Sequence, residues 1–134
     1  MKKFALSLGF GFLVNNIIAT LVAAVILRPL LGSFWESTIR TDAQGLAFPS
    51  LLSGYFILTL LMVVGYKYFS MQGLWLKKGM AWGLLIGGAA FLSGHLITAG
   101  WSIIPSFPML ISGVLDMLAP VATGVVIGYV YRNE

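Results

Sequence analysis

The sequence has no cysteine and little charge, and each absence excludes classes of function. Without a thiol, the 134-residue chain forms no disulfide, thiolate metal site or iron–sulfur cluster. Only 9% of its residues are charged, whereas 59% are hydrophobic, so the chain cannot cover a soluble globule with polar surface. The composition therefore predicts an integral membrane protein whose first partner is the lipid bilayer.

Long apolar runs divide the chain into four predicted spans. The hydrocarbon core of a bilayer is about 30 Å thick, and a helix needs about 20 apolar residues to cross it. Runs of that length cover residues 4–27, 48–66, 79–104 and 108–131, and residues 28–45 form the one long polar connection. We expect a single all-α domain, residues 1–134, folded as a four-transmembrane-helix bundle.

The basic residues predict the orientation of the spans. Arg28 and Arg40 lie on one side of the predicted bundle, and the other Lys and Arg residues lie on the opposite side. The larger group consists of Lys2, Lys3, Lys67, Lys77, Lys78 and Arg132. The positive-inside rule places this group, and both termini with it, in the cytoplasm. We expect a multi-pass protein of the bacterial inner membrane, and the basic residues are explained without a nucleic acid partner.

Small residues recur at helical spacing in the third and fourth spans. The rows consist of Gly79, Gly83, Gly87, Gly94, Gly124 and Gly128. Such rows let two helix backbones approach closely in lipid. They predict helix contacts, and they also suggest a homo-oligomer or a place in a larger membrane complex.

One carboxylate, Asp116, lies inside an apolar run of membrane length. Placing a carboxylate there costs free energy, so Asp116 indicates a functional site or a helix contact. His95 and Asp116 each lie nine residues from the turn at 104–107, so we expect both about 13–14 Å below the outer surface, facing each other. The alternative is that Asp116 is protonated or bonded to Ser and Asn neighbours, while His95 bonds a backbone carbonyl. Pro120 cannot donate to the Asp116 carbonyl, and a kink is expected there. Other candidates for this polar centre are Tyr55, Asn16 and Thr20, placed by residue counting, and Asn15. At least one of the two asparagines should face another helix, because an amide without a partner is costly in lipid.

Enzyme chemistry has little support in these residues. A single histidine cannot provide both axial ligands of a b-type haem, and no His, Asp and Glu residues cluster as three metal ligands. Paired carboxylates for acid–base catalysis are also missing. We therefore expect no catalytic residue, no cofactor and no bound metal.

The two halves of the chain share a short pattern. Residues 48–54 (FPSLLSG) open the second span, residues 107–113 (FPMLISG) open the fourth, and a Lys-Lys pair precedes each of the other two spans. The pattern suggests two duplicated helical hairpins. Convergence is the alternative, because Phe-Pro is a natural start for a helix at a membrane interface.

Residues 29–35 (PLLGSFW) follow the first span, and a late Asp lies in the glycine-rich fourth span. In these features the chain resembles a family of small four-helix bacterial inner-membrane proteins that has no assigned function. In size it is similar to the small multidrug transporters, but their first-span glutamate is absent. Signal peptidase II, another four-helix protein, uses two intramembrane aspartates, and here Asp116 is alone.

Two functions from different classes remain open. The first is a non-enzymatic membrane protein that assembles through its glycine-rich helix faces, as a homo-oligomer or an accessory subunit. The second is a small proton- or cation-coupled transporter or channel that uses Asp116 and His95. The glycine rows favour the first function, and the intramembrane acid favours the second.

Overall fold

The computed structural model describes residues 1–35, 45, 47–69 and 71–133, and every regular element in these ranges is helical. The elements are α1 (Lys2–Leu21), a π-helical segment (Val22–Leu27), α2 (Arg28–Trp35), α3 (Phe48–Tyr66), α4 (Trp75–Gly87), a second π-helical segment (Gly88–Leu92), α5 (Ser93–Trp101), α6 (Ser106–Asp116) and α7 (Leu118–Val130). They join into four long helices, each long and apolar enough to cross a bilayer: Lys2–Phe34, Phe48–Tyr66, Trp75–Trp101 and Ser106–Val130.

The first long helix continues beyond the start of the predicted polar connection. Residues 28–35 are helical, so the prediction of a loop from residue 28 is wrong for them. Pro29 offers no N–H to the carbonyl four residues earlier, and the wide π-helical turn before it accommodates this loss. In that turn the Arg28 N–H donates to the Ala23 carbonyl, five residues back. The rest of the predicted loop, apart from Gly45, lies outside the described residues.

The fourth long helix is interrupted at Met117, directly after Asp116. The interruption agrees with the kink expected from Pro120, which has no N–H for the Asp116 carbonyl. Helical bonding resumes beyond it, where the Val121 N–H donates to the Met117 carbonyl at 3.1 Å. Asp116 is therefore the last residue of α6, and it lies in the middle of a long apolar helix.

The fourth long helix lies at the centre of the bundle. It packs along the third helix, α7 against α4 and α6 against α5, and α7 also packs along α1.

The bundle has two ends. The end at residues 2, 66, 75 and 130 is the terminal end, and the opposite end is the far end. A buried apolar cluster near the terminal end consists of Met62, Val63, Tyr66, Ile127 and Tyr131.

Direct backbone contact joins the third and fourth long helices. The glycines at this interface are Gly79, Gly83, Gly87, Gly113, Gly124 and Gly128. A methyl group added to Gly83 would lie 2.5 Å from the Pro120 carbonyl oxygen, and one added to Gly79 would lie 2.5 Å from the carbonyl oxygen of Gly124. Both distances are shorter than van der Waals contact, so the helices approach this closely only because these side chains are absent.

Gly94 lies outside this interface, and its predicted role in helix packing is wrong. A methyl group on Gly94 would meet nothing within 4 Å. In a regular helix, Gly94 would follow Gly87 on nearly the same face, seven residues later. The π-helical segment at residues 88–92 inserts about one extra residue into the turn and rotates the following residues. His95 consequently takes the place that Gly94 would have occupied.

The second long helix is held mainly in its terminal half, and in its far half the Phe56 ring contacts the Phe12 ring, with centroids 6.0 Å apart. Its buried residues are Thr59, Met62, Val63 and Tyr66. Trp82 of the third helix donates from Nε1 to the Met62 carbonyl at 3.0 Å, and its ring lies against Gly65. From Phe48 to Ile57, every residue except Tyr55 is exposed. The second and third helices therefore separate toward the far end.

The two hairpins are packed differently. Gly54 and Gly113 hold the same place in the repeated FP-x-L pattern, but a methyl group on Gly54 would meet nothing within 4 Å. One on Gly113 would lie 2.9 Å from the Leu92 Cα. The difference arises because the fourth helix is central and the second is peripheral. Duplication of the sequence stays a prediction.

Replacing Gly83 with alanine tests the backbone contact. We expect Gly83→Ala to lower the free energy of unfolding by about 1–3 kcal/mol, since the added methyl group forces the two helices apart. The matched control is Gly9→Ala, at an exposed helical position where a methyl group meets nothing within 4 Å. It should be neutral or stabilising by up to about 1 kcal/mol. Equal unfolding curves for the two variants in detergent would contradict the packing.

Candidate functional site

His95 and Asp116 form a close pair between the third and fourth long helices. His95 Nε2 lies 3.4 Å from Asp116 Oδ2, and the two side chains are 22% and 20% exposed. The pairing predicted from equal depth is therefore present. Gly113 makes it possible, because a methyl group there would lie 3.3 Å from the His95 Cβ. The pair is mostly shielded, so a charge on it must be balanced by the partner side chain or by a proton.

The histidine tautomer follows from a second contact. His95 Nδ1 lies 2.8 Å from the Phe91 carbonyl oxygen, and a carbonyl oxygen only accepts hydrogen bonds. Nδ1 therefore carries a hydrogen. On a neutral ring, Nε2 then presents a lone pair to the Asp116 carboxyl group, and two lone pairs repel. A favourable contact requires one proton between Nε2 and Oδ2, on either atom.

Two more polar side chains belong to this region. Tyr55 is the only half-buried residue in the far half of the second helix, and it lies within electrostatic range of Asp116. Ser112 lies one helical turn before Asp116, is 1% exposed, and its Oγ has no hydrogen-bond partner among the described residues. Ser112 was not predicted as a site residue, although its four-residue spacing from Asp116 gave a signal.

Asn16 and Thr20 do not join the pair, and their predicted place in the polar centre is wrong. The Asn16 amide donates from Nδ2 to the Phe12 carbonyl of its own helix at 2.8 Å, and Thr20 is exposed. Counting residues gives depth along the axis but leaves rotation about it undetermined. Both residues lie at a suitable depth, on faces of the first helix that turn away from the centre.

Asn15 belongs to a second polar cluster, between the first, second and fourth long helices. It is fully buried, and its Nδ2 donates to Thr59 Oγ1 at 3.3 Å. Thr123, also fully buried, contacts the Gly11 carbonyl oxygen through Oγ1 at 3.5 Å. Neither threonine is among the residues predicted for the site. The available signal was the need of an intramembrane amide for partners on neighbouring helices.

The described residues do not bring three or more His, Asp or Glu side chains together. The expectations of no metal, no cofactor and no catalytic residue stay predictions. Compared with protein-family models, curated proteins and solved structures, the chain matches none. The resemblance to small four-helix inner-membrane proteins also stays a prediction.

The protonated Nδ1 can be tested by nuclear magnetic resonance, because the chain has a single histidine. Protein labelled with nitrogen-15 at histidine gives signals from one ring only. We expect the neutral ring to carry its hydrogen on Nδ1, since the Phe91 carbonyl accepts a hydrogen bond from that atom. A neutral ring with its hydrogen on Nε2 would contradict the assignment.

Proposed function

We propose that the chain is a small integral membrane protein that binds and exchanges a proton at the His95–Asp116 pair, as a proton-coupled transporter or channel. The supporting observation is the arrangement of His95, whose Nδ1 faces a carbonyl while Nε2 faces a carboxyl group. This geometry requires one proton between the two side chains. Loss of that proton leaves a lone pair facing a carboxylate.

The apolar surroundings of the pair couple release of its proton to a second event. A carboxylate at the centre of a membrane helix costs about 2.5–3.5 kcal/mol even on insertion scales, and a deprotonated His95 no longer compensates it. The proton must therefore leave together with a change in surroundings or with entry of another cation. A small monovalent cation bound to the Asp116 carboxylate would replace the proton in charge, and such exchange is the basis of proton coupling.

The proposed orientation places both termini in the cytoplasm of a bacterial cell. Lysines and an arginine gather at the terminal end of the bundle. There Lys78 Nζ lies 4.7 Å from the Tyr66 ring centroid, and the Arg132 guanidinium lies 3.9 Å from that of Tyr129. Basic and aromatic side chains at one helix end are typical of a cytoplasmic membrane interface. The far end then faces outward, and the exposed half of the second helix lies beside the pair on that side.

Assembly into an oligomer or a larger complex is the second candidate function. The glycine rows that suggested an oligomer are occupied by contacts within one chain, between the third and fourth long helices. They therefore no longer favour a partner. The support that remains is the far half of the second helix, Phe48 to Ile57, where all residues but Tyr55 are exposed. A homo-oligomer or a larger membrane complex would cover this half.

The proposed topology has a simple test. A reporter fused after residue 134 should be active in the cytoplasm, and one inserted within residues 36–44 should be active outside, because four spans separate the termini by an even number of crossings. The measurement is paired alkaline phosphatase and fluorescent-protein fusions. Activity of both fusions on the same side would contradict a four-span topology.

Replacing Asp116 tests proton exchange. The wild-type protein in lipid vesicles with a trapped pH dye should carry protons faster than empty vesicles when a potassium diffusion potential is imposed. Asp116→Asn keeps the size and removes the proton acceptor, so we expect proton flux to fall by about 100-fold or more. The control is Asp42→Asn, an acid in the predicted outer connection. Wild-type flux no faster than that of empty vesicles, or equal flux in Asp116→Asn, would contradict the proposal.

A further inference from the structure

The terminal end of the bundle contains a cavity of about 570 Å³, between the start of the first long helix and the end of the second. This basic cavity is lined by Met1, Lys2, Phe4, Ala5 and Lys67. Its volume is in the range of about 300–1,000 Å³ that is usual for small-molecule sites. The lining does not include the His95–Asp116 pair, so a ligand here would bind apart from the proposed proton site.

The walls of the basic cavity carry positive charge. Lys2 and Lys67 both line it, and both residues are exposed. Among the described residues the only acid is Asp116, which lies in the middle of the fourth long helix. Glu134 lies outside the described residues, and the terminal end has five lysines and one arginine against this single acid. The cavity therefore favours an anionic ligand.

An aromatic ring positions Lys67 at the cavity wall. Lys67 Nζ lies 5.8 Å from the centroid of the Tyr131 ring, and that ring stacks on Tyr66 with centroids 5.8 Å apart. Phe4, another lining residue, packs against the buried cluster that contains both tyrosines. A cation held over an aromatic face loses less conformational freedom on binding an anion than a lysine that moves freely in solvent. One of the two cationic side chains is therefore preorganised for binding.

Apolar side chains continue from the cavity toward the middle of the bundle. Ala5 starts a row on the first helix, at intervals of three or four residues, that continues through Leu8 to Phe12. The Phe12 ring contacts the Phe56 ring of the second helix, with centroids 6.0 Å apart. The rise from Ala5 to Phe12 is about 10 Å. A ligand in the cavity thus has cations beside its polar part and apolar surface beside a tail.

We propose that the basic cavity binds an anionic phospholipid, with the headgroup phosphate beside Lys2 and Lys67 and an acyl chain along the row from Ala5 to Phe12. A phosphate diester is negatively charged at neutral pH, and lysine binds phosphate as a point charge. Inorganic phosphate offers the same anion without the chains and would leave the apolar row unused. The inference goes beyond the proposed function, because it needs the bilayer but not proton exchange at the His95–Asp116 pair.

Native mass spectrometry of the whole chain in a neutral detergent measures its affinity for added lipid. The probes are phosphatidylglycerol and phosphatidylcholine with identical acyl chains. Phosphatidylglycerol should bind about tenfold more tightly or more, because it has a net negative charge and phosphatidylcholine has none. Inorganic phosphate in excess should not displace it. Equal affinity for the two lipids, or displacement by inorganic phosphate, would overturn the proposal.

Lysine pairs at the terminal end provide matched variants for this assay. Lys2→Gln combined with Lys67→Gln should weaken phosphatidylglycerol binding about 30-fold, since each lysine near an anionic lipid contributes about fivefold. The control combines Lys77→Gln with Lys78→Gln, which removes the same charge from residues that do not line the cavity. It also removes a cation held by an aromatic ring, since Lys78 Nζ lies 4.7 Å from the Tyr66 ring centroid. The control should keep wild-type affinity. An equal loss in both double variants would show general attraction to charge and overturn the site.

Filling the cavity tests the site without changing charge. Ala5→Phe places a ring in the lining, and Leu6→Phe places the same ring at the next position, which is exposed and does not line the cavity. We expect Ala5→Phe to lower the affinity for phosphatidylglycerol by about tenfold or more, and Leu6→Phe to leave it unchanged. Unchanged affinity in Ala5→Phe would overturn the proposal. Failure of these binding tests would leave proton exchange standing, and absent proton flux would leave the lipid site standing.

Discussion

The backbone contact between the third and fourth long helices sets the position of the other features. At Gly79, Gly83 and Gly124 the two backbones touch without intervening side chains, which fixes both the distance and the rotation of the helices in their terminal halves. The π-helical segment at residues 88–92 then turns the far half of the third helix by about one residue. That turn presents His95, and not Gly94, to the helix that carries Asp116.

The His95–Asp116 pair is stable in this place only with a proton. A carboxylate alone in apolar surroundings would be costly, and a neutral histidine with its lone pair toward the carboxylate would not help. With one proton shared, the pair is either two ions of opposite charge or two neutral groups joined by a hydrogen bond, and both arrangements are acceptable in a medium of low dielectric constant. The Phe91 carbonyl makes this requirement strict, because it keeps Nδ1 occupied.

The sequence predicted the helical architecture and the depth of the site. It did not predict the rotation of each helix about its own axis. Apolar length alone located four long helices, and counting from the turn at residues 104–107 gave His95 and Asp116 the same level. The same counting placed Asn16 and Thr20 at that level, although they face elsewhere. The π-helical segment at residues 88–92 decides the rotation that presents His95, and the one at residues 22–27 accompanies the continuation of the first helix through Pro29. They have no simple sequence signature, since each is a response to packing or to a missing N–H.

The second long helix differs from the others in how little holds its far half. Most of its described attachment lies in the terminal half, in the buried residues from Thr59 to Tyr66 and the Trp82 hydrogen bond, and beyond them the Phe56 ring contacts Phe12. Tyr55 stands at the boundary, half-buried and in electrostatic range of Asp116, one helical turn above the Thr59–Asn15 bond. Tilting the helix about this boundary would change the surroundings of the pair while losing little buried area, because the residues beyond it are already exposed. In the proposed function, proton release must be accompanied by a change in the surroundings of the pair. A tilt of the second helix therefore provides that change with the smallest loss of buried area.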